Sequence, residues 1–164
     1  MENYKSWSGL NKQLSETLCD ELKNRITYFL TRYHSVHDSY GRAAIRLDGK
    51  ELVIFSWIEM DHQERDISAL YKADQKTSYD EMEAQMKPAW DADCVYSEMN
   101  FLDAALQFRN MSIKEALTSE NYIIKIFAIL DKRVGKRTLA QLNDCKEHEQ
   151  YPDWVKQFYV LRLK

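Results

Sequence analysis

The sequence predicts an α+β fold: a small antiparallel sheet of about three strands, packed against several helices, one of them central and buried. Three observations predict it. Asp48-Gly49 stands between two strand-like runs, Arg42–Leu47 and Glu51–Trp57, and suits a two-residue type I′ turn, in which both central residues take positive φ. From Ile123 to Leu130 only Lys125 is charged, and a helix apolar nearly all round belongs inside a domain. Four glycines and two prolines in 164 residues leave few breakers, which argues for helices joined by short loops. A chain of this length is expected to form one domain, 1–164, burying ~70% of its unfolded surface without disulfide or metal.

The elements follow in order. Leu10, Leu14, Leu18 and Leu22 recur every fourth residue and predict an amphipathic helix over 8–24, with Ser8 as its N-cap. Ile26–His34 is rich in β-branched and aromatic residues and reads as a strand. After the polar stretch 35–41 comes the Asp-Gly hairpin, completing a meander. A strict two-residue turn pairs Leu47 with Lys50, Arg46 with Glu51, Ile45 with Leu52 and Ala43 with Ile54. One face then collects Ala43, Ile45, Leu47, Leu52 and Ile54.

Beyond Trp57 helical spacing dominates. Ile67, Leu70 and Tyr71 fit one turn, and Ser78-Tyr-Asp-Glu81 reads as a capping box for a helix that Pro88 ends or kinks. Tyr96–Arg109 is helical, Ser112-Ile-Lys-Glu115 opens a short helix, and Ser119 is the expected cap of the central one. That helix, 120–134, is expected to end at Gly135 in the left-handed C-cap geometry. Asn143–Gln150 reads as a polar linker. Pro152 opens a final helix with a Trp154, Phe158, Leu161 stripe.

Charge is uneven. Residues 59–98 hold eleven acids and four bases, net −7, in a chain of net −3, so the rest carries +4. Its densest cationic cluster is the corner Asp131, Lys132, Arg133, Lys136 and Arg137. Four cations within six residues could bind phosphate or nucleic acid. Against this, the chain is acidic overall and too poor in glycine for a phosphate-cradling loop. The architectural alternative has Asp131 and the arginines pairing across a helix–helix corner. Among the histidines, His34 and His37, with Asp38 adjacent, have the spacing of a metal or acid–base pair, yet no second ligand cluster matches them, and they suit loop residues that bond the backbone. His62 and His148 read as surface residues.

GxSxG, P-loop, GxGxxG and HExxH patterns do not occur, so no catalytic residue, cofactor or metal is assigned. Cys19, Cys94 and Cys145 are odd in number and far apart, as in reduced cytosolic proteins. Neither a signal-peptide pattern at the N-terminus nor an apolar run of ~18–20 residues occurs, so no membrane association is expected.

The segments Ser112-Ile-Lys-Glu-Ala-Leu, Ser119-Glu-Asn and Ala128-Ile-Leu-Asp-Lys-Arg-Val-Gly-Lys-Arg, followed by Trp154 and Phe158-Tyr-Val-Leu-Arg-Leu163, resemble a family of small uncharacterised bacterial proteins. Its signatures are an LDxRxGKR-like segment and a terminal FYxLRL-like helix. The hairpin residues Gly41-Arg42 and Asp48-Gly-Lys-Glu51 are similar as well. The resemblance implies a bacterial cytosolic protein and brings no reaction with it. Ten tyrosines, four tryptophans and the two-pole charge pattern favour a protein-binding module. Nucleic-acid binding at 132–137 and an enzyme centred on His34 and His37 are the alternatives.

Overall fold

The computed structural model describes residues 6–32, 41–56 and 79–164. Its elements are α1 (Trp7–Thr17), β1 (Ile26–Arg32), β2 (Gly41–Leu47), β3 (Lys50–Phe55), α2 (Tyr79–Asp93), α3 (Glu98–Asn110), α4 (Ile113–Thr118), α5 (Tyr122–Leu130), α6 (Lys136–Asn143), α7 (Lys146–Glu149) and α8 (Asp153–Leu163). The strands form an antiparallel sheet in the order β1-β2-β3, so the fold is α+β. The readings at His34, His37, His62, Ile67, Leu70, Tyr71 and Ser78 lie outside the described residues.

The hairpin turns as its chemistry demands: Asp48 has φ 51° and Gly49 φ 81°, the left-handed region that Asp and Gly tolerate. Arg25 clamps the turn, its Nη2 2.7 Å from Asp48 Oδ2. The expected register holds only next to the turn. Leu47 pairs with Lys50 and Arg46 with Glu51, but Ile45 pairs with Val53 and Ala43 with Phe55. A β-bulge takes up Leu52, and an extra residue flips every side chain beyond it. Val53 and Phe55, not Leu52 and Ile54, therefore join Ala43 and Ile45 in the core. The larger ring gains burial: Phe55 is fully enclosed and stacks on Phe101 at 5.2 Å.

The core centres on α5. All of Ile123–Leu130 is buried, against α3, α4 and α8. Phe127 meets Tyr28 of β1 at 5.6 Å, Phe101 at 5.5 Å and Phe108 at 5.5 Å. The helix is shorter than expected at both ends. Its N-cap is Asn121, whose Oδ1 accepts from the Ile123 and Ile124 N–H groups at 2.9 and 3.3 Å. Ser119 instead closes α4, and its Oγ accepts from the Asn121 N–H at 3.1 Å. The helix stops at Leu130, before Gly135, because Asp131 leaves it for an antiparallel bridge to Leu18. Cys19 N–H donates to the Leu130 carbonyl at 3.0 Å and Lys132 N–H to the Thr17 carbonyl at 2.8 Å. Gly135 has φ −76° and is the N-cap of α6. The same bridge ends α1 at Thr17, and Leu18 and Leu22 stay buried in the turns that follow. α1 itself starts from Ser6, which accepts from the Gly9 N–H, and not from Ser8.

Three further expectations change. α2 runs through Pro88 to Asp93, so Pro88 does not end it. The 143–150 stretch is helical in part, forming α7. The buried face of α8 is Val155, Phe158, Tyr159 and Arg162, one step round from the expected stripe. Arg162 is 5% exposed. Its Nε donates to the Ile129 carbonyl at 2.8 Å, its Nη2 to the Val134 carbonyl at 2.5 Å, and its Nη1 lies 3.3 Å from Glu21 Oε2.

Replacing Arg162 with Met keeps the apolar stem and leaves two buried carbonyls without donors, each costing roughly 1–3 kcal/mol. We expect R162M to lower unfolding free energy by about 2–4 kcal/mol in urea titrations, and Arg162→Lys to restore little, since an ammonium cannot span three acceptors in a plane.

Candidate functional site

The basic corner is largely engaged with its own chain. Asp131 is completely buried and accepts from Arg133 at the backbone N–H (2.8 Å), Nε (3.0 Å) and Nη2 (2.7 Å). That hydrogen bonding raises the Arg133 pKa above its ordinary value. Lys132 Nζ donates to the Glu16 carbonyl at 2.9 Å, and Lys136 Nζ lies 3.2 Å from Glu21. Arg137 is exposed and has no ion-pair partner among the described residues. The corner thus ties the end of α5 to α1 and its following turn. His148 is half-buried, not a surface residue: its ring lies 4.6 Å from that of Tyr159 and 5.4 Å from that of Tyr151. Burial, then the charge of Lys156, lowers its pKa.

The other end of the molecule has a cleft of about 540 Å³. One wall is the face of α2 bearing Ala84, Lys87, Pro88, Asp91 and Ala92, residues at helical i, i+3, i+4 spacing. The opposite wall is Tyr122 at the start of α5 and the turn Gln150–Asp153. Pro88 stands inside α2 and has no N–H to donate within the helix. Asp91 is the best-held polar group. Lys87 Nζ donates to its Oδ2 at 2.6 Å, and the Tyr96 hydroxyl donates to its Oδ1. Burial and then the Asp91 bond raise the Tyr96 pKa. Trp154 secures the backbone beneath, its Nε1 donating to the Asp91 carbonyl at 2.7 Å. Edge-on ring contacts continue behind the wall, from Trp154 to Tyr96 at 5.9 Å, Tyr122 at 6.1 Å and Phe55 at 6.3 Å.

Lys125 stands one side chain behind Tyr151. It is 6% exposed, and its Nζ donates to the Tyr151 hydroxyl at 2.9 Å while lying 4.4 Å from that ring's centroid. No carboxylate among the described residues pairs with it. Desolvation lowers its pKa, and burial raises that of Tyr151. Lys125 was the one charged exception in the apolar run, the signal by which sequence reading could have singled it out. The cleft had no such signal, because its walls come from three separate stretches of chain, 84–92, Tyr122 and 150–153.

A three-stranded meander wrapped by helices, with an aromatic cleft at one end, defines a small α+β protein without a recognisable catalytic constellation among the described residues. The chain belongs to the SF0329 protein family, whose model matches residues 6–163. No curated protein and no solved structure matches it. Among the described residues no helix is long and apolar enough to cross a membrane.

A buried lysine with a lowered pKa leaves the folded chain holding fewer protons than the unfolded one, so its cost to stability shrinks as pH rises towards ~10.5. We expect K125M to be more stable than the parent near pH 7, with the difference narrowing as pH increases to 10, read from urea unfolding at stepped pH.

Proposed function

We propose that this chain is a bacterial cytoplasmic protein-binding module that takes an extended, basic segment of a partner protein into the α2 cleft. The cleft carries this reading. Tyr122 and Tyr151 offer rigid aromatic area, the kind that dominates binding hot spots. Of the α2 acids Asp91 lines the cleft, paired with Lys87, and the helix sequence carries more acid than base, a balance that favours cationic segments. Asp153, fully exposed on the opposite wall with Lys156 3.9 Å away, adds a carboxylate there. The LDxRxGKR-like and FYxLRL-like segments support a bacterial source, and three cysteines that form no disulfide support a reducing compartment. The basic corner has less in its favour as a nucleic-acid surface, since Lys132, Arg133 and Lys136 already have acceptors in their own chain.

Tagged protein, incubated at low salt with native lysate and treated with nuclease, is expected to retain a stoichiometric protein partner. Asp153→Lys, at an exposed position, and Tyr122→Ala, each checked for an unchanged circular-dichroism spectrum, should each weaken retention of that partner at least tenfold. Absence of a stoichiometric partner, retention untouched by both substitutions, or loss of the partner on nuclease treatment would each overturn the proposal.

A further inference from the structure

The two edges of the sheet are treated differently. Hydrogen-bond parity can be read from the hairpin, where Asp48 N–H donates to the Arg25 carbonyl at 2.8 Å. In an antiparallel ladder bonded pairs alternate, so Thr27, Phe29 and Thr31 bond to β2, and the backbone groups of Ile26, Tyr28 and Leu30 point away from the sheet. The Ile26 N–H agrees, donating to Leu22 at 2.8 Å outside the ladder. Beyond the bulge the same parity turns Ile54 of β3 outwards, the carbonyl of the bulged Leu52 faces outwards too, and both carbonyls are occupied. Gln157 Nε2 donates to that of Leu52 at 3.1 Å, and Cys94 Sγ to that of Ile54 at 3.9 Å. The β3 edge is plugged by side chains from α8 and the α2–α3 turn. Tyr28 and Leu30 on the β1 edge have no such partners among the described residues. An open strand edge is a template for another strand.

The sequence of β1 says which strand. Thr27-Tyr28-Phe29-Leu30-Thr31 reads almost the same in both directions about Phe29. We propose that β1 pairs antiparallel with β1 of a second copy of this chain about a two-fold axis at Phe29, joining the two sheets into one. Tyr28 then exchanges both backbone bonds with the partner's Leu30, and Leu30 with the partner's Tyr28, using the outward groups that have no partner among the described residues. Thr27 lies opposite the partner's Thr31, and Phe29 opposite the partner's Phe29, and Thr–Thr and aromatic pairs are both favourable across strands. Such an isologous contact closes after two copies. The pairing stops at Ile26, whose N–H already serves Leu22. The outer face agrees with this use. Phe29 is half-buried beside Ala44, and the Arg46 guanidinium sits 4.1 Å over its ring, itself held by Glu51 at 3.1 Å, which keeps the charge from opposing its counterpart.

Hydrogen exchange and sedimentation test the proposal on the unaltered protein. Expected are a two-chain mass at tens of micromolar and amide protection of Tyr28 and Leu30 that rises with concentration together with that mass, while Phe29 is protected throughout by β2. Opposed Cα atoms at the axis lie about 4.5 Å apart, within disulfide reach. Oxidised Phe29→Cys should therefore form a cross-linked pair at that position. Thr27→Cys should not, because four residues separate it from its own copy. A one-chain mass at every concentration, unprotected Tyr28 and Leu30 amides, protection of these amides that ignores concentration, or self-linking of Thr27→Cys in preference to Phe29→Cys would each overturn it.

Discussion

Burying α5 removes the carbonyls of its last turn from water, and an orphan acceptor in an apolar interior costs roughly 1–3 kcal/mol. The chain answers with donors from distant segments. The Leu130 carbonyl accepts from Cys19 just beyond α1, and the Ile129 carbonyl accepts from Arg162 of α8. Arg162 also holds the Val134 carbonyl in the following turn and reaches Glu21, which Lys136 approaches from the other side. The first and last helices are thereby fixed to the same helix end. The cationic cluster is dense because the corner has to present several donors in a small volume, with Asp131 sealed beneath Arg133 to satisfy the outgoing chain.

That arrangement explains which features were legible in the sequence. Local chemistry could be read directly: Asp48-Gly49 has one economical turn, Ser112 and Glu115 cap each other's backbone at 3.2 and 2.8 Å, and an apolar octapeptide has only the interior to go to. Expectations failed where a distant segment decided. Gly135 is the better C-cap by local preference, yet pairing of 130–132 with 17–19 ends the helix earlier and recovers backbone bonds that a longer helix would forgo. A strict two-residue hairpin puts Leu52 inside. The bulge puts Phe55 inside, because the space beside Phe101 and Trp154 fits a ring. Asn121 outcompetes Ser119 as cap because the short α4 needs a terminus of its own. Of the site, only the anomaly at Lys125 was visible, since cleft walls from α2 and the 150–153 turn meet through tertiary packing alone.

Lys125 and Arg162 are two buried cations with opposite provisions. Arg162 is saturated by carbonyls and a carboxylate, and its planar fork makes it an efficient structural tie. Lys125 has a phenol and an aromatic face, which partly compensate its charge and leave desolvation dominant. A methionine would fill that volume without the desolvation. The lysine's one distinctive effect is on Tyr151, whose oxygen is committed to accepting from Nζ, so the ring is fixed where it forms the cleft wall.

Trp154 joins the cleft to the core. Its indole meets Phe55 inside, Tyr96 and Tyr122 towards the cleft, and the Asp91 carbonyl through its N–H. α2 is otherwise a polar helix with a proline in its middle, held at its C-terminal end through Asp91 and Tyr96. A ligand bridging α2 and the 150–153 turn would restrain that helix at a second place. Anything that binds the folded chain and not the unfolded one stabilises it by RT ln(1 + [L]/Kd). Because the indole is packed into the same aromatic cluster as Phe55 and Phe101, the stabilisation would be felt by the sheet as well as by α2. The cleft and the core are one packing unit, and occupancy of the first is legible in the unfolding of the second.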